Sequence, residues 1–196
     1  AWIYQHETFG RVANCHKQPQ RIFEKKLSGL DEMKNSFKHV LHNISQVFPR
    51  LKIVLTVSPV RHIKDGVSEN QLSKSLLRVL CAELEKSIYP VSYFPAYEIM
   101  MDELRDYRFY KSDKIHPSEE AEEYIWQKWQ LAVFDEVTRE KVATIQKVKL
   151  DLAHRPFNPD SDSHQKFLKN LLVKLERLNA EFDFSEEIVE VKNQIY

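Results

Sequence analysis

The residues best suited to chemistry are Asp113 and His116, within Lys111-Ser112-Asp113-Lys114-Ile115-His116-Pro117-Ser118. An Asp three positions ahead of a His can accept a hydrogen bond from one imidazole nitrogen. That fixes the tautomer and leaves the other nitrogen as a base. Pro117 restricts His116 to extended backbone and ends the loop sharply. Together these are the orienter and the base of a hydrolase triad. No residue of the chain supplies a convincing nucleophile. The same spacing also occurs in surface loops whose Asp and His simply cap the following helix. Position favours chemistry here, because the pair follows the last strand of an α/β pattern, where ligands gather at strand C-termini.

Other polar residues follow strands too. Asn14, after the first strand, can donate to an oxyanion, or belong to an ordinary polar loop. His16 beside it is a substrate-contact candidate. Cys15 next to His16 is a poor nucleophile–base pair, since sequence neighbours rarely meet in the required geometry. Ser58 is disfavoured as a nucleophile because Pro59 does not provide the small-residue elbow that exposes a serine. Arg61 and His62 can contact an anionic or polar substrate, or tie down their loop by pairing with Asp65 or Glu69. The eight histidines are scattered, with no H-E-x-x-H or C-x-x-C, so no metal site and no cofactor are expected. Tyr124, Trp126 and Trp129 read as helix packing rather than a sugar platform.

Composition narrows the class further. The 196 residues can bury one real core. Lys plus Arg number 29, and so do Asp plus Glu, which gives no bulk attraction for nucleic acid or an anionic membrane. Three glycines, with no G-x-G-x-x-G, argue against a phosphate-binding loop. Cys15 and Cys81 lie far apart in different expected elements; a disulfide between them has no framework to support it, and they read better as two structural or incidental thiols. A cytoplasmic setting is favoured. No apolar run approaches the roughly 20 residues that span a bilayer.

The elements that must position these residues read in order. Ala1-Trp2-Ile3-Tyr4 looks like the tail of a strand already under way, so the chain is expected to be a piece of something longer. Gln5 to Arg21 is polar and irregular. Apolar residues at helical spacing predict a helix from Leu30 to Val47, capped by Asp31 or Ser28 and stopped by Pro49. Leu51 to Val57 reads as a central parallel strand buried on both faces. A helix follows over Asn70 to Ile88, then a short strand at Pro90–Pro95, then mixed signals to Arg105. One long helix is predicted from Ser118 to Leu152, its later turns densely charged. A second helix is predicted from His164 to Phe182, and a short helix or tail closes the chain. The order is half of an α/β sheet, with three strands, too few to bury both faces under these helices.

Many short segments, in order, resemble the GSCFA family, a branch similar to the SGNH/GDSL hydrolases. They include Ala1-Trp2-Ile3-Tyr4, Val12-Ala13-Asn14-Cys15-His16-Lys17, Thr56-Val57-Ser58-Pro59-Val60-Arg61-His62, Asp65-Gly66, Glu69-Asn70 and Ser73-Lys74. Tyr93-Phe94-Pro95-Ala96-Tyr97-Glu98, Asp106 to Tyr110 and Asp113 to Ser118 continue the series. The resemblance covers roughly residues 1 to 135, and 154 to 160 are similar to its longer members. It implies a three-layer α/β/α flavodoxin-like fold with a parallel sheet, here incomplete, and a helical extension over 136–196. It also implies serine ester hydrolysis, with Asp113 and His116 as acid–base pair and Asn14 as oxyanion donor. An O-acyltransferase acting on glycan hydroxyls shares every one of these residues. A non-catalytic helical scaffold is the alternative from another class. The expected partner is a small-molecule or glycan ester, with self-association possible through the C-terminal helices. The Gly-Ser-Cys-Phe-Ala segment that would carry the serine does not occur in these residues, so the nucleophile is expected upstream.

Overall fold

The computed structural model of the protein describes residues 2–8, 10–12 and 17–196. By compactness the chain divides into two units, residues 1–132 and 133–196.

The first unit holds two small sheets. Strands β1 (Trp2–His6), β2 (Gly10–Val12) and β3 (Phe23–Leu27) form an antiparallel sheet in the order β2-β1-β3. Tyr4 lies opposite Val12 on one side and Lys25 on the other. Gly10 occupies φ +72°, the left-handed region that glycine enters at low cost. Tyr4 and His6 both meet the Phe23 ring edge-on, at 6.1 and 5.2 Å. This corrects two expectations. Residues 5–21 are not wholly irregular, and the opening strand does not join the later strands in one sheet. Phe23-Glu24-Lys25-Lys26-Leu27 has charges at its three central positions and carries little strand signal. Its pairing with β1 is what makes it a strand.

The second sheet is a parallel pair, β4 (Ile53–Thr56) and β5 (Val91–Phe94), in register from Ile53–Val91 to Thr56–Phe94. The fold is therefore mixed α/β, with one parallel pairing among the described strands. Helix α2 (Val67–Glu85) is the crossover between them, as parallel strands require. Helix α1 (Leu30–Val47) precedes β4. Met33 and Leu41 of α1 pack with Leu80 and Leu84 of α2 and with Ile53, Leu55 and Val91 of the sheet. β4 is half-buried rather than enclosed on both faces, and only Val57 just beyond it is fully covered, at 2% exposure.

Gly29 occupies the N-cap of α1, and no side chain caps it. Asp31 and Glu32 instead lie in its first turn, where carboxylates complement the helix dipole. The expected cap by Ser28 or Asp31 is thus displaced, because the helix begins between them.

After β5 the chain makes a single turn, α3 (Ala96–Glu98), which widens into a π turn over Ile99–Glu103. The Leu104 N–H closes that turn on the Ile99 carbonyl at 3.0 Å. Helix α4 (Glu119–Val133) covers the segment: Phe94, Ala96, Ile99, Met100, Leu104 and Ala121 form a core against which Trp129 packs. The Trp129 and Phe94 rings meet edge-to-face at 5.0 Å.

The second unit contains α5 (Glu136–Ala153), α6 (Asp162–Leu178) and α7 (Ser185–Lys192). Val148, Leu168, Leu171, Leu175, Phe184 and Val191 form its core. The single helix expected from Ser118 to Leu152 is two helices. Asp135 interrupts it as the N-cap of α5, accepting a hydrogen bond from the Thr138 N–H at 2.7 Å. A capping side chain competes with the backbone for that donor and restarts the helix. Ser161 caps α6 in the same way through the His164 N–H. Among the described residues no helix is long and apolar enough to cross a membrane.

Candidate active site

The loop that carries Asp113 and His116 is closed by its own backbone. The Lys111 N–H donates to the His116 carbonyl at 2.8 Å, and the Ser118 N–H donates to the Phe109 carbonyl at 2.7 Å. Tyr110 and Pro117 form an antiparallel bridge across its neck. Lys114 takes φ +58°, so the loop reverses in a left-handed residue. Ser118 then starts α4, its hydroxyl accepting from the Ala121 N–H at 3.3 Å.

Within this frame Asp113 uses both oxygens. Oδ1 accepts from the backbone N–H groups of Ile115 (2.8 Å) and His116 (3.1 Å), an Asx-type turn. Oδ2 lies 2.7 Å from His116 Nδ1. The hydrogen bond to the imidazole, followed by the two backbone donors, holds the Asp113 carboxyl down at about 2. It is therefore ionised and can only accept, so the proton of a neutral imidazole belongs on Nδ1. Nε2 then keeps its lone pair. The imidazole is half exposed, at 54%, so a base at this position is accessible to a reactant.

The loop after β4 meets this one. The Arg61 N–H donates to the Ile115 carbonyl at 3.1 Å, and Arg61 Nη1 donates to the Lys114 carbonyl at 3.1 Å. The Arg61 guanidinium also lies 5.4 Å over the Tyr110 ring. Arg61 thus ties two loops together through the Ile115 and Lys114 carbonyls. The His62 N–H is held by Asn70 Oδ1 at 2.8 Å. Ser58 Oγ accepts from the Val60 N–H at 3.2 Å, which engages that hydroxyl in a local turn. Asn14, Cys15 and His16 lie outside the described residues. So the structure brings together Asp113, His116 and Arg61, with His62 one residue along.

Sequence reasoning assigned no role to Asn70 or Lys74, both buried on α2 (8% and 4% exposed). Lys74 Nζ donates to the Ser58 carbonyl at 2.7 Å. A signal existed: both polar residues fall among Leu77, Leu80 and Leu84 at helical spacing, where apolar residues would be expected.

Near the end of β5 a second polar cluster forms. Tyr93 donates to Glu98 at 2.7 Å, Arg78 pairs with Glu98 at 3.0 Å, and the Arg78 guanidinium stacks 4.2 Å over Tyr93. Burial, then the Glu98 carboxylate, pushes the Tyr93 phenol well above its ordinary range, so it stays protonated. It pins α2 to β5 and α3. Cys81 is a free, buried thiol whose pKa is raised by burial, the opposite of an activated nucleophile. No group of three or more metal-ligating side chains occurs among the described residues.

Comparison with known proteins gives two matches. The model of one family matches residues 1–129 and is described as the GSCFA family. Residues 145–196 match the GSCFA domain protein, C-terminal domain. No curated protein and no solved structure matches the chain.

Proposed function

The chain belongs to the GSCFA family, and from that premise we propose that it carries the acid–base half of an SGNH-type serine ester hydrolase. The observation that carries the reading is the 2.7 Å contact between Asp113 Oδ2 and His116 Nδ1, in a loop braced against the segment that leaves β4. His116 Nε2 takes the proton of a serine hydroxyl as that oxygen attacks the ester carbonyl. The resulting imidazolium is stabilised by Asp113, which stays ionised. His116 then returns the proton to the departing alcohol, and the cycle repeats with water attacking the acyl-enzyme. Asn14 is the oxyanion donor in this scheme. The serine lies outside these 196 residues, and the substrate is a small-molecule or glycan ester.

The same reading takes β4, β5 and the crossover α2 as part of a three-layer α/β/α flavodoxin-like fold. A parallel pair linked through a helix is the unit from which such sheets are built.

The test is His116→Ala in the complete protein, assayed on short-chain chromogenic esters. Turnover should fall by about 10²–10⁴-fold, with the circular dichroism spectrum unchanged. Wild-type turnover in that variant would remove the assignment.

A further inference from the structure

We propose that Lys74 and Asn70 of α2 are positioning residues, which set the Asp113–His116 pair through the loop 58–62. The inference rests on the acid–base reading above for its catalytic consequence, but its structural content stands separately.

The chain of contacts is short. Asn70 and Lys74 stand four residues apart, on one face of α2. Lys74 Nζ holds the Ser58 carbonyl at 2.7 Å, and Asn70 Oδ1 holds the His62 N–H at 2.8 Å. The two ends of the 58–62 loop are therefore fixed to the same helix. Arg61 lies between those two points. Its backbone N–H grips the Ile115 carbonyl, its side chain grips the Lys114 carbonyl, and its guanidinium covers Tyr110. Ile115 and Lys114 separate Asp113 from His116, so any shift of Arg61 acts on the two peptides that set the spacing of the pair.

The choice of residue supports this role. At 4% exposure an ammonium is costly to bury, and burial drives the Lys74 pKa down. Leucine would fill the same depth at lower cost. What lysine adds is a donor long enough to reach across to the carbonyl at the end of β4. Asn70 adds the matching acceptor for a half-buried loop N–H.

The consequence is geometric precision. A base misplaced by about 1 Å can lose about 10²-fold in rate. Lys74 and Asn70 act on the 58–62 loop and make no hydrogen bond to Asp113 or His116, so their removal should move kcat and leave KM nearly alone.

The experiment uses Lys74→Met, which keeps length and removes the donor, and Arg61→Ala, which breaks the relay without opening the core. In both, amide hydrogen exchange of Ile115 and His116 is followed by NMR in the protein as it stands. Those amides donate to Asp113 Oδ1, so they report whether the Asx turn persists. We expect exchange to accelerate about tenfold or more in each variant, and kcat of the complete protein to fall about 10–100-fold. Unchanged exchange at both amides in the folded variants overturns the inference. If Lys74→Met does not fold, Arg61→Ala alone decides. Loss of the turn together with a fully active His116→Ala protein would instead sink the hydrolase reading and leave the positioning relay standing.

Discussion

In residues 1–132 the loop around His116 is held by directional polar contacts, whereas in residues 133–196 the helices meet through leucines and valines. The first unit spends a buried lysine, a buried asparagine and an arginine on carbonyls and N–H groups of two loops. The second places Leu168, Leu171 and Leu175 of α6 against Val148, Phe184 and Val191. Two of its polar devices, Asp135 and Ser161, sit at helix starts. The buried Gln165 is a third: its amide donates to the Gln194 carbonyl, and its oxygen accepts from the Tyr196 N–H. Hydrogen bonds fix orientation, and apolar burial fixes only proximity. A general base needs orientation, so the polar frame lies where the proposed chemistry lies.

The largest effect that sharpens this contrast is expected from Asp113→Asn. Its Oδ1 can still accept from Ile115 and His116, so the turn should survive. The other end of the side chain becomes an NH₂ facing His116 Nδ1, and the imidazole must then move its proton to Nε2. A base in the wrong tautomer loses about 10⁴-fold in kcat, while the denaturation midpoint should barely change because the pair is about half exposed. A variant that retains most of its turnover would show that orientation of His116 does not matter here.

The corresponding change in the second unit should have the opposite character. Leu175 is fully buried, and Leu175→Ala removes methylenes that its neighbours only partly refill. A cost of about 2–5 kcal/mol is expected, read as a lower denaturant midpoint for that unit at constant slope. A shift well under 1 kcal/mol would mean that α5, α6 and α7 are not held by the packing described above.

How much of this was legible in advance follows from the kind of interaction involved. Helix α1 was readable to its last residue, because Met33, Phe37, Val40, Leu41, Ile44 and Phe48 give a helical period and Pro49 stops it. The parallel strands were readable because the β-branched run Ile53-Val54-Leu55-Thr56 and the short run Val91-Ser92-Tyr93-Phe94 flank an amphipathic helix. β3 was not, since strand formation there depends on pairing with β1 rather than on its own charged residues. The break at Asp135 was hidden because Leu131, Ala132, Val133 and Phe134 run straight into helix-forming residues with no Gly or Pro between them. Within the candidate site, the Asp113–His116 contact could be foreseen, since it is local and follows from a three-residue spacing. The Lys74–Ser58 and Arg61–Lys114 contacts join residues 16 and 53 positions apart. Only the folded chain brings those together, so from sequence Arg61 stood both as a substrate contact and as a loop tie.

The smallest predicted effect is a pH response confined to the polar region. Asp113 is held at about 2 in the folded protein, against 3.8 ordinarily, chiefly by the His116 imidazole and then by two backbone N–H groups. A carboxyl depressed on folding contributes stability above its unfolded value, and that contribution is lost as pH falls through the folded one. The loop should therefore be fully braced at and above pH 5 and loosen progressively between about pH 4 and pH 2. The carbon resonance of the Asp113 carboxyl should titrate near 2, and exchange at the Ile115 and His116 amides, corrected for its intrinsic pH dependence, should rise over the same range. Lys74→Met offers a discriminating control. If α2 holds this loop in place, the Asp113 midpoint should move up toward 3.8 in that variant even though no hydrogen bond joins the two side chains. A midpoint that stays near 2 would mean the Asx turn forms from its own eight residues, with the 58–62 loop merely resting against it.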